Sequence, residues 1–147
     1  MKTTISTRAM PRSVRVLAAL GIAWNAFGAV QWSGQAFASP AVLVAKGMTP
    51  AQAALYAALP GWMTIVFAIG VFGGLAGSIL LAIGRRAALT ALGMSLLGYI
   101  ALFVGDIVER VFAAFGLPHM LVLMIVVAIA TGLLLLALHA DRRAWLR

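Results

Sequence analysis

Few side chains in this sequence could do chemistry, and three of them lie together near the end of an apolar segment: Asp106, Glu109 and Arg110. Asp106 and Arg110 are four residues apart, so a helix would place them on one face as an ion pair. A proton or cation relay through Asp106 is the alternative. No acid, base or lysine lies in the middle of an apolar segment, which argues against a proton-coupled pump.

The two histidines do not indicate a metal site. His119 and His139 lie near opposite ends of one apolar segment, which separates them by about 30 Å along a helix. His119 follows Pro118 and is interpreted as part of a helix start. The sequence has no cysteine and no Ser/His/Asp grouping, HExxH motif or phosphate-binding loop. We therefore expect no catalysis, no metal and no other cofactor.

Polar residues within the apolar segments form the other candidate site. Asn25 and Gln31 interrupt the first apolar segment, and Ser95, Tyr99 and Asp106 share one helical face of the third. Depth counting places Asn25 and Tyr99 near mid-membrane, so we predict a polar seam between these two helices. It is either a set of interhelical hydrogen bonds, worth about 1 kcal/mol or less each, or a binding site for a small solute. The sequence leaves both open.

The elements that position these residues are predicted from composition. Of 147 residues, 64% are hydrophobic and 10% charged, and the mean hydropathy is +1.08, far from the averages of soluble domains. Four segments are long enough to cross a bilayer, at about 16–37, 62–83, 87–108 and 117–138. We therefore predict an all-α fold, with residues 1–147 forming a single membrane domain that is a bundle of four transmembrane helices in contact with the lipid bilayer.

The distribution of charge predicts the orientation of this bundle. Nine of the eleven lysine and arginine residues precede the first segment, separate the second from the third, or follow the fourth; the two others are Lys46 and Arg110. The positive-inside rule then places both termini in the cytoplasm. Topology and anionic lipid headgroups account for the net charge of +8, so we expect no nucleic-acid partner. The nine residues are Lys2, Arg8, Arg12, Arg15, Arg85, Arg86, Arg142, Arg143 and Arg147.

The loop at 38–61 is predicted to lie outside the membrane. Ala36-Phe37-Ala38 resembles a signal-peptidase site, but the preceding apolar run is longer than a usual signal core, so we favour retention of the segment. Thr49-Pro50-Ala51-Gln52 predicts a capping box, and hence a short amphipathic helix that ends near Leu59 and lies on the bilayer surface or caps the bundle. Trp62 is placed as an interfacial anchor.

Glycines form a stripe on the second apolar segment. Gly70, Gly73, Gly74 and Gly77 have the spacing i, i+3, i+4, i+7, which places all four on one helical face. Such a face lets another backbone approach closely in lipid. It predicts either tight packing inside the bundle or a contact with a ligand or with a helix of another chain.

Several short sequences together resemble a known family. They are "WNAFG" at 24–28, "GMTPAQ" at 47–52, "LPGWMT" at 59–64 and "VFGGLAG" at 71–77, followed by the pair Arg85 and Arg86. The family comprises small four-helix inner-membrane proteins of proteobacteria that often carry the label "sugar transporter". The resemblance covers residues 24–86 well and fades after them, where "GDIVERVF" at 105–112 departs from the pattern. It implies a location in the bacterial inner membrane and supplies no binding residues.

Two functional hypotheses follow. The first is a non-enzymatic membrane subunit or accessory protein whose glycine face and outer loop dock against other membrane chains or against a second copy. The alternative is an oligomeric carrier of a small, sugar-type solute, with a site built from Asn25, Gln31, Ser95 and Tyr99. A holder of a cofactor or pigment is a third possibility to which no residue points.

Overall fold

The computed structural model describes residues 9–147, so the predictions for Lys2 and Arg8 lie outside the described residues. The described chain is a bundle of four long antiparallel helices with two short helices in the first connection, which confirms the predicted all-α membrane fold. The six elements are α1 (Arg12–Ala36), α2 (Pro40–Ala45), α3 (Pro50–Ala57), α4 (Gly61–Ala82), α5 (Ala87–Val108) and α6 (Val111–Arg142).

The outer surface of the bundle is apolar. Large side chains such as Val30, Phe72, Leu97 and Leu135 are exposed on the four long helices. A soluble protein does not expose apolar surface on this scale, whereas in a bilayer these side chains contact lipid tails. Length and composition also make each of the four long helices able to span a membrane. The protein is therefore a multi-pass membrane protein.

The first spanning helix, predicted at 16–37, runs from Arg12 to Ala36, and two larger differences concern the fourth helix and the first connection. The fourth spanning helix was expected at 117–138, but α6 runs from Val111 to Arg142 with a break at Gly116, whose φ is 76°. The residues before this glycine are apolar and helical rather than a loop. The first connection holds two short helices instead of one, and Thr49 and Gln52 form the predicted capping box at the start of α3.

The helices pack in the order α1, α4, α5, α6, with α4 lying between α1 and α5. The end that carries residues 9–11 and the C-terminus is called the terminal end, and the end that carries α2 and α3 is called the loop end. At the terminal end all four long helices contribute to a closely packed core that includes Ala18, Leu81, Leu92 and Ala137. The residues of this core are buried and pack against one another.

The glycine stripe of α4 is covered from within the chain. Added Cβ atoms at Gly70 and Gly77 would meet side chains of α5, and one at Gly74 would overlap the side chain of Asn25 in α1. Gly73 lies against the backbone of α5 near Ser95. The stripe therefore brings α1 and α5 close to opposite flanks of α4, and it leaves no open face for a helix of another chain.

Ser78 borders this stripe and gives a test of its packing. Its hydroxyl is completely buried beside Gly21 and has no hydrogen-bond partner among the described residues. A buried, unpaired hydroxyl is unfavourable, so we expect Ser78→Ala to leave stability unchanged or to raise it by up to about 1 kcal/mol. Unfolding of the purified protein in detergent measures the change. A clear loss of stability would show that the hydroxyl has a partner.

Candidate functional site

A cavity of about 590 Å³ lies among the four long helices in the loop-end half of the bundle. Its lining comes from α1, α4, α5 and α6, and Tyr56 of α3 covers it at the loop end. Its volume is within the range of roughly 300–1,000 Å³ found for small-molecule pockets. Aromatic side chains form much of the wall, including Trp24, Trp32, Phe67 and Tyr99.

The floor of the cavity is closed toward the terminal end. Tyr99 is only 4% exposed and packs in a cluster with the buried residues Val71 and Ala130. Val126 packs against this cluster and also lines the cavity. Because the terminal-end core lies below the cluster, a molecule in the cavity has no route through the bundle in this conformation.

The cavity reaches the lipid-facing surface between α1 and α6. Near the terminal end these helices touch, since Gly21 lies against Leu133. Farther along, both helices line the cavity, and the lining residues Phe27 of α1 and Val122 of α6 are 60% and 58% exposed. A molecule dissolved in the bilayer therefore has lateral access to the site.

The polar end of the cavity is formed by Asp106 and His119. The Asp106 side chain is buried, and its Oδ2 lies 3.1 Å from His119 Nε2. The imidazole packs against the rings of Phe112 and Phe115, with centroids 5.8 and 5.3 Å away. This arrangement holds a carboxylate and an imidazole side by side on the wall of an otherwise mostly apolar cavity.

The predicted ion pair between Asp106 and Arg110 is wrong. The α5 helix ends at Val108, and Arg110 adopts a left-handed conformation with φ 56°, so the helical spacing of four residues does not continue to it. The connection instead turns the chain back, and α6 brings His119 to Asp106. His119, interpreted from the sequence as part of a helix start, is thus a site residue that sequence reasoning missed.

Helix α3 closes the loop end of the cavity by polar contacts to two spanning helices. The Tyr56 hydroxyl donates to Oε1 of Gln35 in α1 at 2.8 Å, and Gln52 Nε2 donates to the carbonyl of Ala114 in α6 at 3.0 Å. Burial, and secondarily the Asp106 carboxylate, raise the pKa of Tyr56 to about 12. The hydroxyl therefore stays protonated at neutral pH and keeps its donor role.

The predicted seam between the first and third spanning helices is not a direct contact, because α4 separates α1 from α5. Three of the five predicted solute-binding residues nevertheless meet in the cavity. Gln31 lines it from α1, and Tyr99 and Asp106 line it from α5. The cavity therefore unites the predicted polar groups that lie closest to the loop end.

The two other predicted residues lie outside the cavity and bond to backbone. Asn25 is buried and donates from Nδ2 to the carbonyl of Gly21 at 2.8 Å, with its side chain against Gly74. Ser95 donates from Oγ to the carbonyl of Gly70 at 2.5 Å, which ties α5 to α4. Both residues act in helix packing in this structure.

Within residues 9–147, no group of three or more His, Cys, Asp or Glu side chains is placed to hold a metal ion. The cavity combines a hydrogen-bonding end, aromatic walls and a lateral opening, and an apolar lining with a few polar groups is typical of small-molecule pockets. Comparisons of the chain with protein-family models, with curated proteins and with solved structures gave no match.

Proposed function

We propose that the protein is a non-enzymatic carrier that binds a small molecule in the loop-end cavity. The observation that supports this function is the cavity itself, which is large enough for a small solute and is enclosed by all four spanning helices. Its polar groups are concentrated at one end and its aromatic groups along the walls, as in sites that fix the orientation of a ligand.

Access to the cavity from one side of the membrane is expected for one conformational state of a carrier. The cavity lies in the loop-end half and opens laterally toward the bilayer, while the terminal-end core closes the other side. Seven of the described basic residues lie at the terminal end, so the positive-inside rule supports cytoplasmic termini and a site that is reached from outside. These residues are Arg12, Arg15, Arg85, Arg86, Arg142, Arg143 and Arg147. Release on the inner side then requires the terminal-end core to open.

An accessory-subunit role has less support. It relied on the glycine face as a docking surface, and that face is covered by α1 and α5 of the same chain. The resemblance of residues 24–86 to small bacterial inner-membrane proteins labelled as sugar transporters agrees with a carrier in the inner membrane. Four helices are few for a complete pathway, so we expect the carrier to self-associate.

Photolabelling in vesicles tests whether the cavity takes up a small molecule. The probe is 3-trifluoromethyl-3-phenyldiazirine, and mass spectrometry locates its insertion sites in protein reconstituted into phosphatidylethanolamine and phosphatidylglycerol vesicles. We expect saturable insertion at Tyr99 and Leu123, which line the cavity but are 4% and 7% exposed. Val126→Phe places a larger side chain on the cavity wall and should reduce this labelling strongly.

Ile125→Phe is the matched control, because Ile125 is the neighbouring residue on α6, is 52% exposed and does not line the cavity. It should leave labelling at Tyr99 and Leu123 unchanged. If these two residues are labelled no more than Leu92, which is buried in the terminal-end core, the cavity does not bind small molecules and the proposed function is wrong.

A further inference from the structure

The described cavity lining contains an acidic side chain and no lysine or arginine. Asp106 is the only carboxylate among the described lining residues, and none of those residues is a lysine or arginine. The two basic residues of the loop-end half, Lys46 and Arg110, do not line the cavity. Lys46 donates to the carbonyl of Gly34, and Arg110 is exposed. The cavity thus contains a fixed negative group and no fixed positive group of comparable strength.

The Asp106 carboxylate has capacity for a further partner. Its hydrogen bond within residues 9–147 involves Oδ2 and His119 Nε2. The described lining supplies no lysine or arginine to pair with the Asp106 carboxylate. In a site of low dielectric the attraction between a carboxylate and a cation is much stronger than in water.

The walls of the cavity suit an organic cation rather than a metal ion. Trp24, Trp32, Tyr56 and Tyr99 all line it, and the rings of tryptophan and tyrosine attract ammonium groups through their negative faces. A hydrated inorganic ion would gain little from these walls, because hard cations prefer several oxygen ligands. A ligand with an alkylated ammonium head and an apolar body would use both the carboxylate and the aromatic lining.

We propose that the cavity selects a monovalent organic cation whose ammonium group is bound beside Asp106, a proposal that rests on the carrier function above. The lateral opening between α1 and α6 admits the apolar part of such a molecule from the bilayer. The charge of the ligand is paired within the protein, which lowers the cost of holding an ion at membrane depth.

Competition against the photolabel tests the selectivity. Benzyltrimethylammonium, its neutral isostere neopentylbenzene and the anion phenylmethanesulfonate are added at pH 8, and protection of Tyr99 and Leu123 from labelling is measured. In the wild-type protein the cation and the neutral isostere should protect, while the anion should not. This comparison of ligands requires no variant and is therefore independent of any effect on folding.

Asp106→Asn should raise the half-protecting concentration of benzyltrimethylammonium by roughly tenfold relative to that of neopentylbenzene. Glu109→Gln removes the same charge three residues farther along the chain, at a position that does not line the cavity, and should change neither value. Equal protection by cation and anion, or equal effects of the two variants, would overturn the cation selectivity while leaving the carrier function in place. If neopentylbenzene also fails to protect a labelled Tyr99, the binding function itself is refuted.

Discussion

Gly98→Ala is expected to destabilise the protein by roughly 2–3 kcal/mol, although it adds a single methyl group. A Cβ atom at this position would lie 2.7 Å from the carbonyl oxygen of Val66 and 2.8 Å from the amide nitrogen of Gly70. Both are backbone atoms of α4, so no change of rotamer can make room. The two helices would have to move apart along the most extensive helix contact in the bundle.

Gly93→Ala is the matched control in the same helix, because no atom outside the helix lies within 4 Å of a Cβ at Gly93. It should leave stability unchanged or raise it slightly, since alanine favours a helix more than glycine does. Unfolding of both variants in mixed micelles of a mild detergent and sodium dodecyl sulfate measures the difference. Equal stability of the two variants would show that α4 and α5 do not meet closely at Gly98.

The importance of Gly98 could not be predicted from the sequence in the way that the α4 stripe could. On α4 the spacing of four glycines marks one face directly. On α5, Gly98 and Gly105 are seven residues apart and share a face, but no glycine three or four residues away continues the pattern as on α4, so the spacing marks Gly98 only weakly. Only the contact with α4 distinguishes a glycine that permits a close approach from one that faces open space.

The spanning helices themselves were predictable because the bilayer imposes their length. The predicted 87–108 coincides with α5, and 62–83 is displaced by one residue from α4. The sequence predicts the fourth spanning helix at 117–138 and assigns no helix to the residues before Gly116. The apolar residues from Val111 to Phe115 are helical instead, and they help to close the loop end, where Phe115 packs against Tyr56.

The candidate site was predictable in part. Residue type and depth identified Gln31, Tyr99 and Asp106, because polar groups in an apolar segment must face protein or a cavity. His119 was missed because it reaches Asp106 only through the turn at the end of α5, which reverses the chain between the two residues. The order of the helices around the bundle was also not encoded in any periodicity.

The loss of stability caused by Gly74→Ala should be partly reversed by a second substitution. The loss caused by Gly98→Ala cannot be reversed in this way. A Cβ at Gly74 would overlap the Asn25 side chain, so the single variant should lose roughly 1–3 kcal/mol of stability. Asn25→Ala removes the overlapping atoms together with the amide that donates to the Gly21 carbonyl, a hydrogen bond worth about 1 kcal/mol or less in a membrane. The double variant should therefore be more stable than the sum of the two single losses predicts.

The expected coupling is about 1 kcal/mol or more, within the range found for residues in contact, and a double-mutant cycle from detergent unfolding measures it. Asn25→Ala combined with Gly98→Ala is the control pair, and its effects should add, because Gly98 meets backbone of α4 rather than Asn25. Additivity of Asn25→Ala with Gly74→Ala would mean that α1 does not approach α4 through this side chain. The wall that α1 contributes to the cavity would then be placed differently, since Trp24 and Gly28 flank Asn25 on the same helix and line the cavity.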